Sequence, residues 1–288
     1  DEATSLWISV DVPKDFPAGN YPIKVYTGEE MIIAQTKEEN AVDIQQELDD
    51  PQFGRENGYI PEEISEASPF SVRAQYVHDS KFDNYTIHDM IDVSKYQGDV
   101  DWKKVKQSGI DYAMIRIGYR GYGEKGTINI DEKYENNIKN AISAGIKVGV
   151  YFFSQAITEA EAVAEADQVL KWIGENEISL PVTIDFEYAS SEDGSIGRLY
   201  NANLTKEAAT NICIAFCETI KGAGHSPMIY ANKHMLENGL DASKLEEKYE
   251  IWIANYNYAN SYEGEYTFWQ YTQNGNVDGI LGNIDKNF

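Results

Sequence analysis

The stretch "SLPVTIDFEYAS" (179–190) reads as a short apolar strand, Val182 to Glu187, that ends in two carboxylates two residues apart. A helical pattern precedes it, "TEAEAVAEADQVLKWIG" (158–174), opened by Thr158 and Glu161 at the spacing of a capping box. Another follows it, "TKEAATNICIAFCETIKGAG" (205–224), closed by glycine. A strand that is apolar along its length and lies between two helices belongs to a parallel sheet covered on its outer face.

The same rhythm extends outward in both directions. Upstream lie strands in "HDMIDVS" (88–94), "YAMIRIGY" (112–119) and "KVGVYFF" (147–153). They are separated by helical stretches at 99–109, capped by Asp99 or Asp101, and at 131–145, where Tyr134, Ile138, Ala141 and Ile142 form one stripe. Downstream come strands at 227–232, 250–255, 266–272 and 276–285, with little helix between the last ones. Eight strands with helices clear after the first four predict an α/β fold, a closed TIM-like barrel whose last third has lost its helices. A doubly wound open sheet is the competing architecture. No GxGxxG or P-loop follows the first strand, so nucleotide binding has no support.

The first 86 residues are different. They hold 18 acidic and 6 basic residues, a much sharper imbalance than in the rest of the chain. Alternation in "SLWISV", "YPIKVY" and "PFSVRAQYV" predicts half-buried strands. The reading is a β-rich accessory module over 1–40, with an alternative extension to 77, an acidic connector or loop region over 41–86, and the barrel over 87–288.

The whole chain of 288 residues carries a net charge of −24, which argues against nucleic acid as a partner. It holds no apolar run long enough to span a membrane. The sequence opens on Asp1 with no initiator Met and no charged-then-apolar leader, so a mature or trimmed form with any signal peptide out of view, secreted or wall-associated, is expected. Cys213 and Cys217 share one helical face and read as small buried hydrophobes. His78, His88, His225 and His234 show no ligand spacing, so neither a metal nor a cofactor is expected.

In a parallel barrel the reacting groups gather at the C-terminal strand ends. That rule selects Asp92, Tyr151, Asp185, Glu187, Tyr230, Asn255, Gln270 and Asp285. The bland reading of Asp92 is a helix cap. The bland reading of Asp185 and Glu187 is an ion pair with Arg116 on the second strand. Two acids on one strand face nevertheless raise each other's pKa, a cost that calls for a use. Glycosidic bond cleavage has that use, because one carboxyl must keep its proton while the other stays charged. Glu187, one methylene longer, is the expected acid, and Asp185 the charged partner.

These residues carry a family likeness. "IDVSKYQGDVDWKKVKQSGIDYAMIRIGYRG" (91–121), "AGIKVGVYFFSQA" (144–156), "LPVTIDFEY" (180–188), "IWIANY" (251–256) and "FWQYTQNGNVDGILGNIDKN" (268–287) resemble glycoside hydrolase family 25, the Chalaropsis-type lysozymes or N-acetylmuramidases. The resemblance implies a (β/α)5(β)3 barrel and hydrolysis of the β-1,4 bond between N-acetylmuramic acid and N-acetylglucosamine in peptidoglycan. It implies Glu187 as proton donor with Asp185, Asp92 and Asp285 as the other site acids, Asp278 being a competitor for the last. Tyr151, Tyr230, Trp269 and Gln270 resemble groove residues that hold the sugar. The partner implied is the glycan strand of peptidoglycan, met by a monomer. Asp185 either orients and charge-stabilises the substrate's 2-acetamido group, the preferred route, or attacks directly. A chitinase or endo-β-N-acetylglucosaminidase of family 18 resembles a longer DxxDxDxE run. That run is missing, since no acid stands between Leu180 and Ile184. A silent wall-binding barrel is the third reading, opposed by intact Asp92, Asp185 and Glu187.

Overall fold

The computed structural model describes residues 76–191 and 194–288. The β-rich module expected over 1–40, and the connector up to residue 75, lie outside the described residues.

Strands β1 (Met90–Val93), β2 (Tyr112–Arg120), β4 (Lys147–Ser154) and β5 (Val182–Phe186) alternate with helices α1 (Trp102–Gln107), α2 (Tyr134–Ser143) and α3 (Glu159–Ile173). A short β3 (Ile128–Ile130) pairs antiparallel with the end of β2. After β5 come a small hairpin, β6 (Ala189–Ser191) and β7 (Gly194–Ile196), then α4 (Gly197–Asn201) and the long α5 (Lys206–Gly222). Strand β8 (Pro227–Asn232) leads through a π turn (Met235–Gly239) into α6 (Ala242–Glu246), and β9 (Glu250–Ala254), β10 (Phe268–Gly275) and β11 (Ile284–Asn287) follow with no helix between them.

Around the sheet the order is β1, β11, β10, β9, β8, β5, β4, β2, and β2 pairs again with β1, so the eight strands close. All neighbours run parallel except at β11, which is antiparallel to both β10 and β1. This is the expected (β/α)5(β)3 barrel, with the fifth helix reduced to α6. The open doubly wound sheet is excluded by the β1–β2 pairing.

The alternation of β5 explains its composition. Val182, Ile184 and Phe186 face outward into the apolar layer beneath the helices. Thr183 and Asp185 take the other face and point into the barrel. The outer layer is filled by helix stripes such as Ala162, Ala166, Val169 and Ile173 of α3 and Ile212, Cys213, Phe216, Cys217 and Ile220 of α5. Cys213 and Cys217 are thus buried thiols within that stripe. The inner space holds a separate apolar cluster of Met90, Met114, Tyr151, Met228, Tyr230 and Trp252. Gly149 of β4 is needed there, since a Cβ would lie 2.6 Å from Met114 Sδ and 2.7 Å from the Pro181 carbonyl oxygen.

The last strand departs furthest from its expected bounds. The eighth strand was expected at 276–285, but β11 occupies only Ile284–Asn287 and residues 276–283 form a loop. Gly279 (φ +101°) and Gly282 (φ +83°) take left-handed backbone that no ladder admits. The apolar residues that imitated a strand, Val277 and Ile280, are buried in the outer layer. The Gly279 carbonyl accepts the Asp101 N–H at 2.8 Å, which fastens this loop to the N-cap of α1.

Residues 76–86 pack on the barrel. Val77 bridges Ala259, and the Tyr76 ring lies 4.2 Å from Tyr271 and 5.5 Å from Phe288 between centroids. Under the N-terminal strand ends, between this segment and the barrel, a cavity of about 510 Å³ is lined by Tyr85, His88, Met90, Tyr112, Tyr266 and Phe268, among others. It contains none of the candidate site carboxylates.

Candidate active site

The candidate acids meet at the opposite, C-terminal end of the strands. Asp92 on β1 stands directly across from Asp285 on β11. Asp185 on β5 is level with Tyr230 on β8. Glu187 is the first residue but one beyond Asp185, just past the end of β5. Asp92, Asp185 and Glu187 are buried, and Asp285 is half-buried.

Gln270 ties the mouth together from β10. Its Nε2 donates to Asp92 Oδ2 at 2.9 Å and to Asp285 Oδ2 at 3.3 Å. Its Oε1 accepts the hydroxyls of Tyr230 at 2.9 Å and Tyr256 at 2.8 Å. The amide orientation follows from these partners, because carboxylates only accept and the phenols are free to donate. Asn287 adds a second donor to Asp92 Oδ2 at 2.9 Å, and its own Oδ1 accepts the Trp252 indole N–H at 2.8 Å. Trp252 in turn meets the rings of Tyr151 (5.9 Å) and Tyr230 (4.8 Å) edge to face. The result is a mouth of acids held by amides above a floor of aromatic rings. Such a surface offers stacking faces and hydrogen-bond acceptors to a neutral polyhydroxy ligand.

Three selected residues lie elsewhere. Trp269 alternates with Gln270, so its ring faces outward, packed on Phe288 and Tyr76, with its indole N–H on the Asn255 carbonyl at 2.6 Å. Asn255 directs its side-chain amide to Asn260 (2.9 Å) and Ser261 (3.0 Å), which shapes the loop after β9. Asp278 is exposed on the 276–283 loop, and it is Asp285 that stands beside Asp92. Arg116, offered as a partner for the β5 acids, is wholly buried with its Nε on Asp131 Oδ2 at 2.7 Å.

Sequence reasoning missed Trp252, Tyr256 and Asn287. Strand parity carried the signal for two of them. Asn287 lies two residues beyond Asp285, and Trp252 shares its strand face with Ala254, which leaves Asn255 outside.

Beyond the mouth, Gln155 follows β4 and is wholly buried. Its Nε2 donates to the carbonyls of Ser154 and Glu187, both at 3.0 Å. Its own carbonyl accepts Arg198 Nη1 at 2.7 Å, and Arg198 forks onto Glu161 at 2.7 and 3.1 Å. Glu161 thus departs from a simple capping box. Thr158 Oγ1 accepts the Glu161 N–H, but the Glu161 carboxylate reaches back to the N–H of Ile157. Glu161 is held below its ordinary pKa by Arg198 and the Ile157 N–H, which outweigh the opposing effect of burial. One turn on, Glu165 pairs with Arg120, yet complete burial pushes its carboxyl up to about 7.

Among the described residues, no group of three or more His, Cys, Asp or Glu side chains is arranged to hold a metal ion. Among them also, no helix is long and apolar enough to cross a membrane.

The family described as Glycosyl hydrolases family 25 matches residues 91–280. Lysozyme M1 of Streptomyces globisporus is 25% identical over 215 residues, covering 68% of this chain and 66% of its own length. The autolytic lysozyme of Clostridium acetobutylicum is 24% identical over 196 residues, covering 68% of this chain and 53% of its own. The chain therefore spans between about half and two thirds of these relatives. Among solved structures, the modular autolysin LytC from Streptococcus pneumoniae superposes with a TM-score of 0.59 at 27% identity, over 69% of this chain and 46% of that one. LytC has also been solved in complex with a synthetic peptidoglycan ligand. A family 25 glycosyl hydrolase from Bacillus anthracis shares the fold, with a TM-score of 0.58 at 23% identity over 75% of this chain and 93% of that one.

Proposed function

Because the chain belongs to glycosyl hydrolases family 25, we propose that it cleaves the β-1,4 bond between N-acetylmuramic acid and N-acetylglucosamine in peptidoglycan glycan strands. The observation that carries the reading is the inner face of β5. Asp185 lies there and Glu187 just past the strand's end at the barrel's C-terminal mouth, with Asp92 and Asp285 held on Gln270 in the same mouth. The peptidoglycan complex of the similar LytC supports the substrate class.

In this reading Glu187 gives its proton to the leaving glycosidic oxygen as that bond breaks. Asp185 lies deeper and takes the N–H of the 2-acetamido group. The acetamido oxygen then closes on the anomeric carbon, and the positive charge spreads into the new ring. Water, deprotonated by the Glu187 carboxylate, attacks the same carbon from the vacated face as the bond to the acetamido oxygen breaks, which reopens the ring, retains configuration and restores the acid. Attack by Asp185 itself is the second route to the same product. Asp92 and Asp285 keep the mouth negative where charge develops, and Gln270, Tyr230 and Tyr151 position the sugar. Asn255 and Trp269 act through the wall they brace, and Asp278 through the loop that carries it. The enzyme works as a single chain on wall material outside the membrane and uses no metal.

Mass analysis of a digest of defined peptidoglycan tests the reading. The expected products carry muramic acid at the reducing end. Reducing-end glucosamine would replace the assignment with the second sugar specificity, and no cleavage would leave a wall-binding barrel. Glu187→Gln is expected to lose about 10²- to 10⁴-fold in rate while melting like the parent.

A further inference from the structure

The parallel ladder between β4 and β5 ends at the pair Ser154 and Phe186. Glu187 is the next residue, so its carbonyl lies beyond the reach of the strand pairing. Its donor is the side chain of Gln155 at 3.0 Å. One carboxamide nitrogen thus bridges the carbonyls that end the two strands, Ser154 on its own strand and Glu187 on the neighbour. The peptide before Glu187 is held by the ladder and the peptide after it by Gln155, which fixes the backbone on both sides of its Cα. Gln155 is fully buried, and its Oε1 has no hydrogen-bond partner among the described residues. A residue selected for packing alone would be apolar at this point, because a buried acceptor without a donor is unfavourable.

Gln155 is itself held. Arg198 donates to its backbone carbonyl and anchors on Glu161 at the start of α3. Arg198 belongs to α4, at the far end of the hairpin excursion that leaves the barrel directly after Glu187. The segment departing from Glu187 therefore returns and clamps the residue that fixes it.

We propose that Gln155, locked by Arg198, is a positioning residue that sets the height and direction of Glu187 over Asp185. The proposal rests on Glu187 being the general acid. A carboxyl that swings by an ångström loses alignment with the leaving oxygen, and misplacement on that scale costs about 10²-fold in rate. Gln155 touches no substrate in this account, so its loss lowers kcat and leaves KM nearly unchanged.

The test is steady-state kinetics of Gln155→Met, which keeps the volume and removes the amide. On soluble glycan fragments, kcat is expected to fall about 10- to 100-fold with KM within about twofold. The basic limb of the kcat/KM profile is expected to move, since the acid no longer sits at a fixed distance from Asp185. A nitrophenyl glycan, whose leaving group needs no proton, supplies the second arm. In the Glu187→Gln background, adding Gln155→Met is expected to change its hydrolysis by less than about twofold. Wild-type kcat in a folded Gln155→Met, an unmoved pH profile, or a full additional loss in the Glu187→Gln background would each overturn the proposal. Wild-type glycan cleavage by Glu187→Gln alone would remove the premise itself, and that variant keeps Gln155 intact, so the two failures are told apart.

Discussion

Glu165 lies wholly out of solvent in α3, facing Arg120 from β2 and Cys213 from α5, with Glu161 one turn earlier. Burial is the largest influence on its carboxyl and Arg120 opposes it, leaving the group at about 7. The folded protein therefore holds this proton more tightly than the unfolded chain does. Between about pH 4.5 and pH 7 the native state binds more protons, so this group's contribution to stability declines as pH rises. Its scale is on the order of 3 kcal/mol across that window. Thermal melts of Glu165→Gln are expected to show a flatter dependence over pH 5 to 7.5, together with a loss of about 3 kcal/mol above pH 7, where Arg120 is left buried without its carboxylate. An unchanged slope would show that Glu165 is ionised throughout. Legibility at this scale followed parity. Asp92, Asp285 and Gln270 come together at the mouth, and such acids and amides near strand ends stand out in the sequence against apolar neighbours. Trp269 was set beside Gln270 as a groove residue, yet adjacent residues on a strand face opposite sides. The Arg198–Gln155–Glu187 clamp was not legible, since its members lie far apart in sequence and meet only through the fold.

At the scale of elements, the helices after the first four strands were legible from periodicity and caps. Asp101 and Thr158 do cap α1 and α3 through Lys104 N–H and Glu161 N–H. The fifth helix was obscured because its stretch is only five residues long and follows a π turn. The last strand was misplaced because "VDGIL" has the apolar content of a strand, while its glycines direct the chain outward to α1. Nothing local distinguishes an apolar residue buried outside a barrel from one buried in its wall. β4 supplies the sharpest test of packing between elements. Gly149→Ala puts a methyl against Met114 Sδ and the Pro181 carbonyl, the second of which is backbone and does not yield. The expected cost is about 1–3 kcal/mol by chemical denaturation. A neutral result would mean that β4 and β5 separate more readily than their pairing implies.

For the molecule as a whole, the stretch before β1 belongs to the packing of the barrel. Tyr76 meets Trp269, Tyr271 and Phe288, and Phe82 meets Tyr266 at 5.2 Å. A chain begun at Ile87 is therefore expected to melt about 5–10 °C below one begun at Tyr76, the shift that a loss of a few kcal/mol produces in a domain of this size. Equal melting temperatures would show these rings to be dispensable. Composition holds no sign that residues 76–86 dock, because the partners are rings scattered over the far end of the chain.

The reversed direction of β11 has a consequence for how the molecule can be joined to other things. Since that strand alone runs back from the mouth, Phe288 finishes beside Tyr76, their ring centroids 5.5 Å apart, on the outer side of β10 where both rings meet Tyr271. Tethers attached at either position would leave from the same side of the wall. A short linker between those two positions, with the chain reopened in a surface loop, should give a circularly permuted barrel whose strand pairing is unchanged.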